Sequence, residues 1–375
     1  MGIILDETMW RRLFVVWISA LPFVVWPWMI EGAKIIWFWL GGFFLTVFWL
    51  FKLRVKLPKV VTWVDLWYFS WLFILLISSI FGLHPSDSVI GGSYRHQGVL
   101  FFFTLWLVGK TITILPNKDK KLLIKIIGAG VIIESLLVIL QWPLDPIFSF
   151  PMTVNGRPLG TFGEPNAAAG FLAVGASFLS RFTSLLLVLA AILVTQSRSG
   201  ILSLLTIILG FFVINRKKIT NWSVQKKIYA SLSLLVMLVA AGLTIKEASL
   251  TRQNSVFEER GMYWKLGWQK VRERPLLGYG AESGEAVYED SFAKANLPLF
   301  GLIVDRSHNL FLDVAIWSGI IGLVLFLSWM LTASNSLVRQ GKWINIIGFL
   351  AWLVFSTFQP LGVVHWVLLF LILNF

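Results

Sequence analysis

The chain has 375 residues, of which 57% are hydrophobic and only 14% charged, and its mean hydropathy is +0.79. Soluble domains carry about a quarter charged residues, so this composition is that of an integral membrane protein. The absence of cysteine excludes disulfides, cysteine–metal sites and thiol nucleophiles.

In chain order, apolar runs fall near 12–30, 35–51, 62–82, 98–115, 122–142, 166–180, 183–196, 200–214, 228–246, 309–331, 344–358 and 361–375. A bilayer crossing needs about 20 such residues, which gives about twelve crossings. The 20 Trp and 31 Phe fit this reading, because indole rings anchor at lipid–water interfaces. Basic clusters alternate with the gaps. Arg11 and Arg12 precede the first run, and Lys52, Arg54, Lys56 and Lys59 follow the second. Lys118, Lys120 and Lys121 follow the fourth; Arg216, Lys217, Lys218, Lys226 and Lys227 follow the eighth; Arg339 and Lys342 follow the tenth. All lie at the N-terminus or after even-numbered crossings, so the positive-inside rule puts both termini in the cytosol. The net charge of +13 is therefore a topology signal rather than a nucleic-acid footprint.

The first run contains Pro22, Trp26, Pro27 and Trp28 and has no small-residue cleavage site, so it is expected to be an uncleaved span. The stretch 166–196 is broken only by Arg181 and short polar residues. Two short spans are expected there, since one would carry the 215–227 basic cluster outside. The outward gaps are then 83–97, 143–165, a short turn at 196–200, and a large segment at 247–308. All four histidines (His84, His96, His308 and His365) fall on or near that side.

No Walker loop, HExxH, GxSxG or DxD pattern is present, which leaves nucleotide hydrolysis, zinc proteolysis and metal–diphosphate sugar-nucleotide chemistry without support. The outer face also offers no ATP. A transfer there needs a donor already activated, such as a lipid diphosphate. Such chemistry needs cations for the leaving diphosphate and a base for the acceptor hydroxyl. Arginine suits the first role, because its planar donors pair bidentately with phosphate oxygens.

Four outward segments supply these groups. NGRPLGTFGEPNAAAG (155–170) has four Gly and two Pro, which let the backbone approach a ligand or simply make a tight turn. The turn Gln196–Gly200 sets Arg198 between two short apolar runs, as a snorkelling anchor or as a functional cation. FEERGMYWKLGWQKVRERPLLGYG (257–280) has helical character from Glu258 to Arg272, with Met262, Tyr263, Leu266 and Trp268 toward one face. It ends before Pro275 and Gly278, and an interfacial helix is its plainest reading. Asp305-Arg306-Ser307-His308-Asn309 opens the tenth span, where Ser307 or Asn309 can N-cap the helix without a full capping box. His308 becomes a base candidate because it faces the side of Arg198 and Arg260. Two carboxylates lie within apolar runs, Glu134 in the fifth and Asp313 in the tenth, and intramembrane ionisable groups are functional by default. Asp313 can orient or charge-balance the His308 region. Glu134 is the best argument for a transport reading.

These four segments, in this order, resemble the bacterial O-antigen ligase and polymerase superfamily. The matching pieces are GRPLGTFGEPNAAAGFLA, TQSRSGILSLL, RGMYWKLGWQKVRERPLLGYG and DRSHNLFLDVAIWSGIIGLVLFL, covering about 155–330. GGSYRHQGVLFF (91–102) looks like the Arg–Gly loop of that family. The resemblance implies an all-α polytopic, GT-C-like fold, with residues 1–375 as one membrane domain and 247–308 as a large extracytoplasmic loop. It implies inverting, metal-independent glycan transfer from undecaprenyl diphosphate at the outer face of a bacterial cytoplasmic membrane, with no cofactor. His308 would be the base, and Arg198 and Arg260 the diphosphate ligands. Arg157, Gly160, Asn166, Arg95, Asp305 and Asp313 are expected to line the substrate site. Glu164 stands where the family loop often has Asn, which puts in doubt a ligand contact at that position. The acceptor can be lipid A core, a growing repeat chain or a protein hydroxyl. The alternative of a different class is a transporter of a small anion or lipid-linked sugar.

Overall fold

The computed structural model describes residues 7–26, 30–55, 62–92, 94–144, 152–179, 181–217, 242, 255–297 and 303–375. The apolar run at 228–246 (residue 242 apart), Lys56, Lys59, Lys218, Lys226 and Lys227 lie outside the described residues. So do Pro27, Trp28 and the loop stretches 247–254 and 298–302. The described helices are α1 Glu7–Ala20, α2 Ile30–Val55, α3 Trp63–Ile80, α4 Pro85–Ile90, α5 Val99–Ile114, α6 Asn117–Leu144 and α7 Pro165–Gly175. They continue with α8 Phe182–Thr195, α9 Arg198–Ile214, α10 Ser255–Glu273, α11 Gly284–Lys294, α12 Leu310–Arg339, α13 Trp343–Ser356 and α14 Val363–Asn374. A hairpin of β1 Thr153–Val154 and β2 Arg157–Pro158 lies in the loop before α7.

Every apolar run within the described residues carries a helix. Ile30–Phe48 within α2, and α3, α6 and α12, are long and apolar enough to cross a bilayer; α5, α8, α9, α13 and α14 are shorter apolar helices. The chain is an all-α integral membrane protein. The stretch 166–196 divides into α7 and α8, separated by a 3-10 turn at Ala176–Phe178 and by Arg181 at the start of α8.

Two antiparallel pairs set the ends of the bundle. Along α3 and α12, Ser78 Oγ donates to the Trp317 carbonyl, Ile74 faces Gly322, and the Trp71 and Trp329 rings stack at 6.4 Å. Along α9 and α13, Gly210 faces Ile347 and Ser203 Oγ donates to the Ala351 carbonyl at 2.7 Å. One end of the molecule therefore gathers Arg339 and Lys342, with Lys120 beside Lys342 and the Arg11 pocket against the end of α5. The start of α9, the end of α13 and the start of α12 lie at the opposite end. The segregation of the basic clusters follows the parity expected from the sequence.

The tenth apolar run reads as an uninterrupted helix, but α12 opens at Gly319, which has φ +65°. The opening frees the carbonyls of Ile316 and Trp317, and buried unpaired carbonyls are costly. The segment PLLGYG after α10 fills the opening. Tyr279 N–H donates to Ile316 O at 2.8 Å, Gly280 N–H to Trp317 O at 2.9 Å, and Ile320 N–H returns to Pro275 O at 2.7 Å. Gly278 (φ +70°) passes so close to α12 that a Cβ would collide with the Ile316 carbonyl oxygen.

A left-handed backbone costs an L-residue about 1–2 kcal/mol, and a steric collision adds to it. Gly341 also has a positive φ, +67°, but nothing lies within 4 Å of a Cβ there. Gly278→Ala is therefore expected to lower the thermal stability of the purified protein clearly more than Gly341→Ala. Equal losses in a detergent-solubilised unfolding assay would show that the PLLGYG insertion is not tight.

Candidate functional site

The turn that carries His308 is held from below by α12. Asp313, buried in the first turn of that helix, accepts from the Ser307 N–H and the Ser307 hydroxyl, each at 2.7 Å. Asn309 is the N-cap, its side chain accepting from Phe311 and Leu312 N–H at 3.1 and 3.2 Å. The cap is thus filled by Asn309, and His308 between these residues adopts a left-handed conformation with φ +57°. From above, α10 closes the turn. Trp264 Nε1–H donates to the Ser307 carbonyl at 3.0 Å, and the Tyr263 ring stacks on the imidazole at 6.1 Å and 18°.

The imidazole lies among charges. Burial, reinforced by Arg260 and Arg95, pushes His308 down to about 4, against the upward pull of Asp305 and a hydrogen bond with Gln359. It is therefore neutral at neutral pH. Its Nδ1 is enclosed and has no hydrogen-bond partner among the described residues. Arg95 forms an ion pair with Asp305, with both side chains largely buried. Burial alone would raise the Asp305 carboxyl, but Arg95 and Arg306 hold it below the usual carboxylate range. Arg306 pairs with Glu282 at 3% and 5% side-chain exposure, so this cation is committed to the scaffold. Gln97 ties the 91–98 loop to the turn before α14 by donating to Leu361 O at 2.6 Å.

A second group surrounds the start of α9. Gln196 in the left-handed region reverses the chain, and Ser197 caps α9 by accepting from Gly200 N–H, which places Arg198 in the first turn. Arg157 reaches the same turn, its Nε donating to Thr195 O at 2.7 Å while Nη2 donates to Asn166 Oδ1 at 2.9 Å. Glu164 caps α7 by accepting from Ala167 N–H at 3.1 Å and also receives Asn166 Nδ2 at 2.6 Å. At this position Glu performs the loop-closing task of a short polar cap. The two groups share one end of the bundle. The α9–α13 register brings Arg198 toward the end of α13, beyond which Gln359 meets His308. His365 joins them from the start of α14, bonded to Ala167 O at 3.0 Å and within the field of Arg95.

Two expected site residues have architectural tasks. Gly160 (φ +58°) exchanges both backbone bonds with the Gln141 side chain, and a Cβ there would collide with Glu134 Oε1. The need for glycine at 160 is steric. Asp313 positions Ser307 and is itself buried. Glu134 clamps the same loop, receiving Thr161 N–H at 2.8 Å and Thr161 Oγ at 2.9 Å. Buried Lys34 completes the clamp by donating to the Thr161 carbonyl. These bonds give the carboxylate in the fifth run a structural task at the loop.

One expectation is corrected. Trp268 does not share the inward face of α10: it is 45% exposed, whereas Leu266 and Val271 are buried and Met262 and Tyr263 pack on the core. At 3.6 residues per turn, position 268 lies about 200° from Leu266, and the inward stripe passes through 263, 266 and 270 instead. Sequence reasoning also missed Trp264 and Gln359. Trp264 sits one residue off the apolar stripe, and Gln359 is a single polar residue in the FQPLG turn.

Residues 183–327 match the family model described as O-antigen ligase, a span that includes Arg198, Arg260 and His308. No curated protein matches the chain. The segment from α8 to the middle of α12, which supplies the SRSG turn, the α10 helix and the His308 turn, is thus similar to the O-antigen ligase family.

Proposed function

We propose that this chain is a glycosyltransferase of the O-antigen ligase type. It moves a glycan from undecaprenyl diphosphate to an acceptor hydroxyl at the outer face of a bacterial cytoplasmic membrane, in a GT-C-like fold of about twelve crossings. The observation that carries the reading is the neutral imidazole of His308, held in a turn clamped by α12 and α10 beside Arg260 and Arg95, with one ring nitrogen lacking a partner among the described residues. The neutral imidazole, oriented by its hydrogen bond with Gln359, is the proton acceptor. The acceptor hydroxyl gives its proton to His308 as its oxygen bonds to the anomeric carbon. The bond from that carbon to the diphosphate oxygen breaks on the opposite face, so the configuration inverts. The departing charge is taken up by arginine donors, with Arg198 and Arg260 as the principal ligands and Arg157 and Arg95 at the rim. The reaction needs no metal in this scheme, because the arginines supply the charge a cation would bring. The acceptor in envelope biosynthesis is a lipopolysaccharide core, a growing repeat chain or a protein. The family name favours the first.

The depressed basicity of His308 gives a pH signature. A base works when deprotonated, so activity falls only as pH drops through its folded-state value. In the free protein that value is about 4, so kcat/KM is expected to stay level from about pH 8 down to about pH 5. A bound diphosphate offsets the fields of Arg260 and Arg95, so the acidic limb of kcat is expected at higher pH than that of kcat/KM. An acidic limb of kcat/KM near the ordinary histidine value would show that the cations do not act on the imidazole.

Arginine geometry gives a second expectation. Arg198→Lys keeps a positive charge but loses the bidentate fork, so it is expected to recover little of the activity lost in Arg198→Ala. Full activity in the lysine variant would reduce Arg198 to a generic charge.

A further inference from the structure

The end of the molecule opposite His308 carries a groove that the transfer reaction does not use. A cavity of about 190 Å³ opens between the start of α3 and the ends of α5, α12 and α14, and its lining includes Asp65, Lys110, Thr113, Gln340 and Lys342. A second cavity of about 500 Å³ adjoins it, sharing Thr62, Val64 and Ser336, and is walled by Trp63, Trp67, Leu331 and Arg339. The first mixes polar and apolar walls and carries Lys110 and Lys342, and the second is mainly apolar, with Trp63 73% and Leu331 69% exposed. Together they have the amphipathic shape of a phospholipid, with a place for a headgroup and a place for an acyl chain.

The charge of the headgroup is set by what lines the cavities. Among the described residues, Asp65 is the sole carboxylate lining either one. It is fully engaged by Lys110 Nζ at 2.6 Å, Trp106 Nε1 at 2.9 Å and the Thr62 hydroxyl at 2.7 Å. Lys120 Nζ donates to the carbonyl of the cavity residue Thr113, and its charge and that of Lys342 are close enough to repel each other. Lys342 has no carboxylate partner among the described residues. Lys342 lines the cavity, Lys120 bonds a residue of its wall and Arg339 stands on the adjoining wall, so the mouth carries positive charge that favours an anion.

We propose that this groove binds an anionic phospholipid, its phosphate between Lys120 and Lys342 and one acyl chain along Trp63, Trp67 and Leu331. The lipid covers the exposed aromatic edge of α3 and holds α3 and α12 together at the end remote from the His308 turn. The lysines are at the surface and the site is separate from the transfer machinery, so it can be tested by binding alone.

The test is the binding of phosphatidylglycerol with a fluorescent acyl chain to the purified protein in micelles. Phosphatidylcholine of the same chain length serves as the neutral control, and inorganic phosphate as competitor. The wild type is expected to bind phosphatidylglycerol in preference to phosphatidylcholine, and Lys120→Gln/Lys342→Gln to bind it about 30-fold more weakly. Thr332→Trp, which fills the apolar groove and leaves both lysines in place, is expected to weaken binding as well. Equal binding of the two lipids, or unchanged binding in the lysine variant, overturns the proposal. Displacement of the lipid by inorganic phosphate at comparable concentration, with Thr332→Trp silent, assigns the site to a free phosphate and overturns the lipid assignment.

Discussion

The half of the molecule that holds His308 depends on the opening of α12 at Gly319. A helix that breaks within a membrane protein must find new partners for the carbonyls it frees, because no water is at hand to solvate them. Here the partners are the N–H groups of Tyr279 and Gly280, with Ser78 adding a hydroxyl from α3. The segment that follows α10 is thereby fixed to α12, and α10 itself cannot slide along the bundle. That constraint lets Trp264 meet the Ser307 carbonyl and lets Tyr263 lie on the imidazole. The His308 turn is consequently gripped by two elements, α12 through Asp313 and α10 through Trp264. A site on a loop is precise only when the loop is held this way.

The electrostatics follow from the same arrangement. The His308 end carries at least five arginines, and two of them, Arg95 and Arg306, are matched to Asp305 and Glu282. Such buried pairs contribute little net stability, and their value lies in fixing geometry. The result is an imidazole kept neutral by burial and cationic neighbours. It occupies a site whose field favours an incoming anion before any reaction occurs.

Much of this was legible in the sequence, and the remainder had physical reasons to stay hidden. Hydropathy placed the helices, because a bilayer imposes length and apolarity on each one locally. The parity of Lys120, Arg339 and Lys342 against Arg198 and His308 fixed the two ends for a similar reason. The break at Gly319 was not legible, since a glycine between Ser318 and Ile320 looks like any small residue in an apolar helix. Its cause lies in a segment about 40 residues away. The pairings Arg95–Asp305 and Gln97–Leu361 span 210 and 264 residues, and no periodicity records them. Glu134 was legible only in part. An isolated carboxylate in an apolar run suggests a transport path, whereas its partners, Thr161 and Lys34, lie in a loop and in another helix.

The central claim is that His308 acts as the base of glycan transfer, and the variant His308→Asn addresses it most directly. Asparagine tolerates the left-handed conformation at this position and leaves the Asn309 cap and the Ser307–Asp313 contacts in place, so the turn should persist. The measurement is single-turnover transfer by purified protein in nanodiscs, with a polyprenyl-diphosphate-linked glycan and an acceptor, alongside direct binding of the donor. Donor binding is expected to stay close to wild type and transfer to fall by about 10²–10⁴-fold, the usual loss for removal of a general base. Transfer by His308→Asn at near wild-type rate would contradict it.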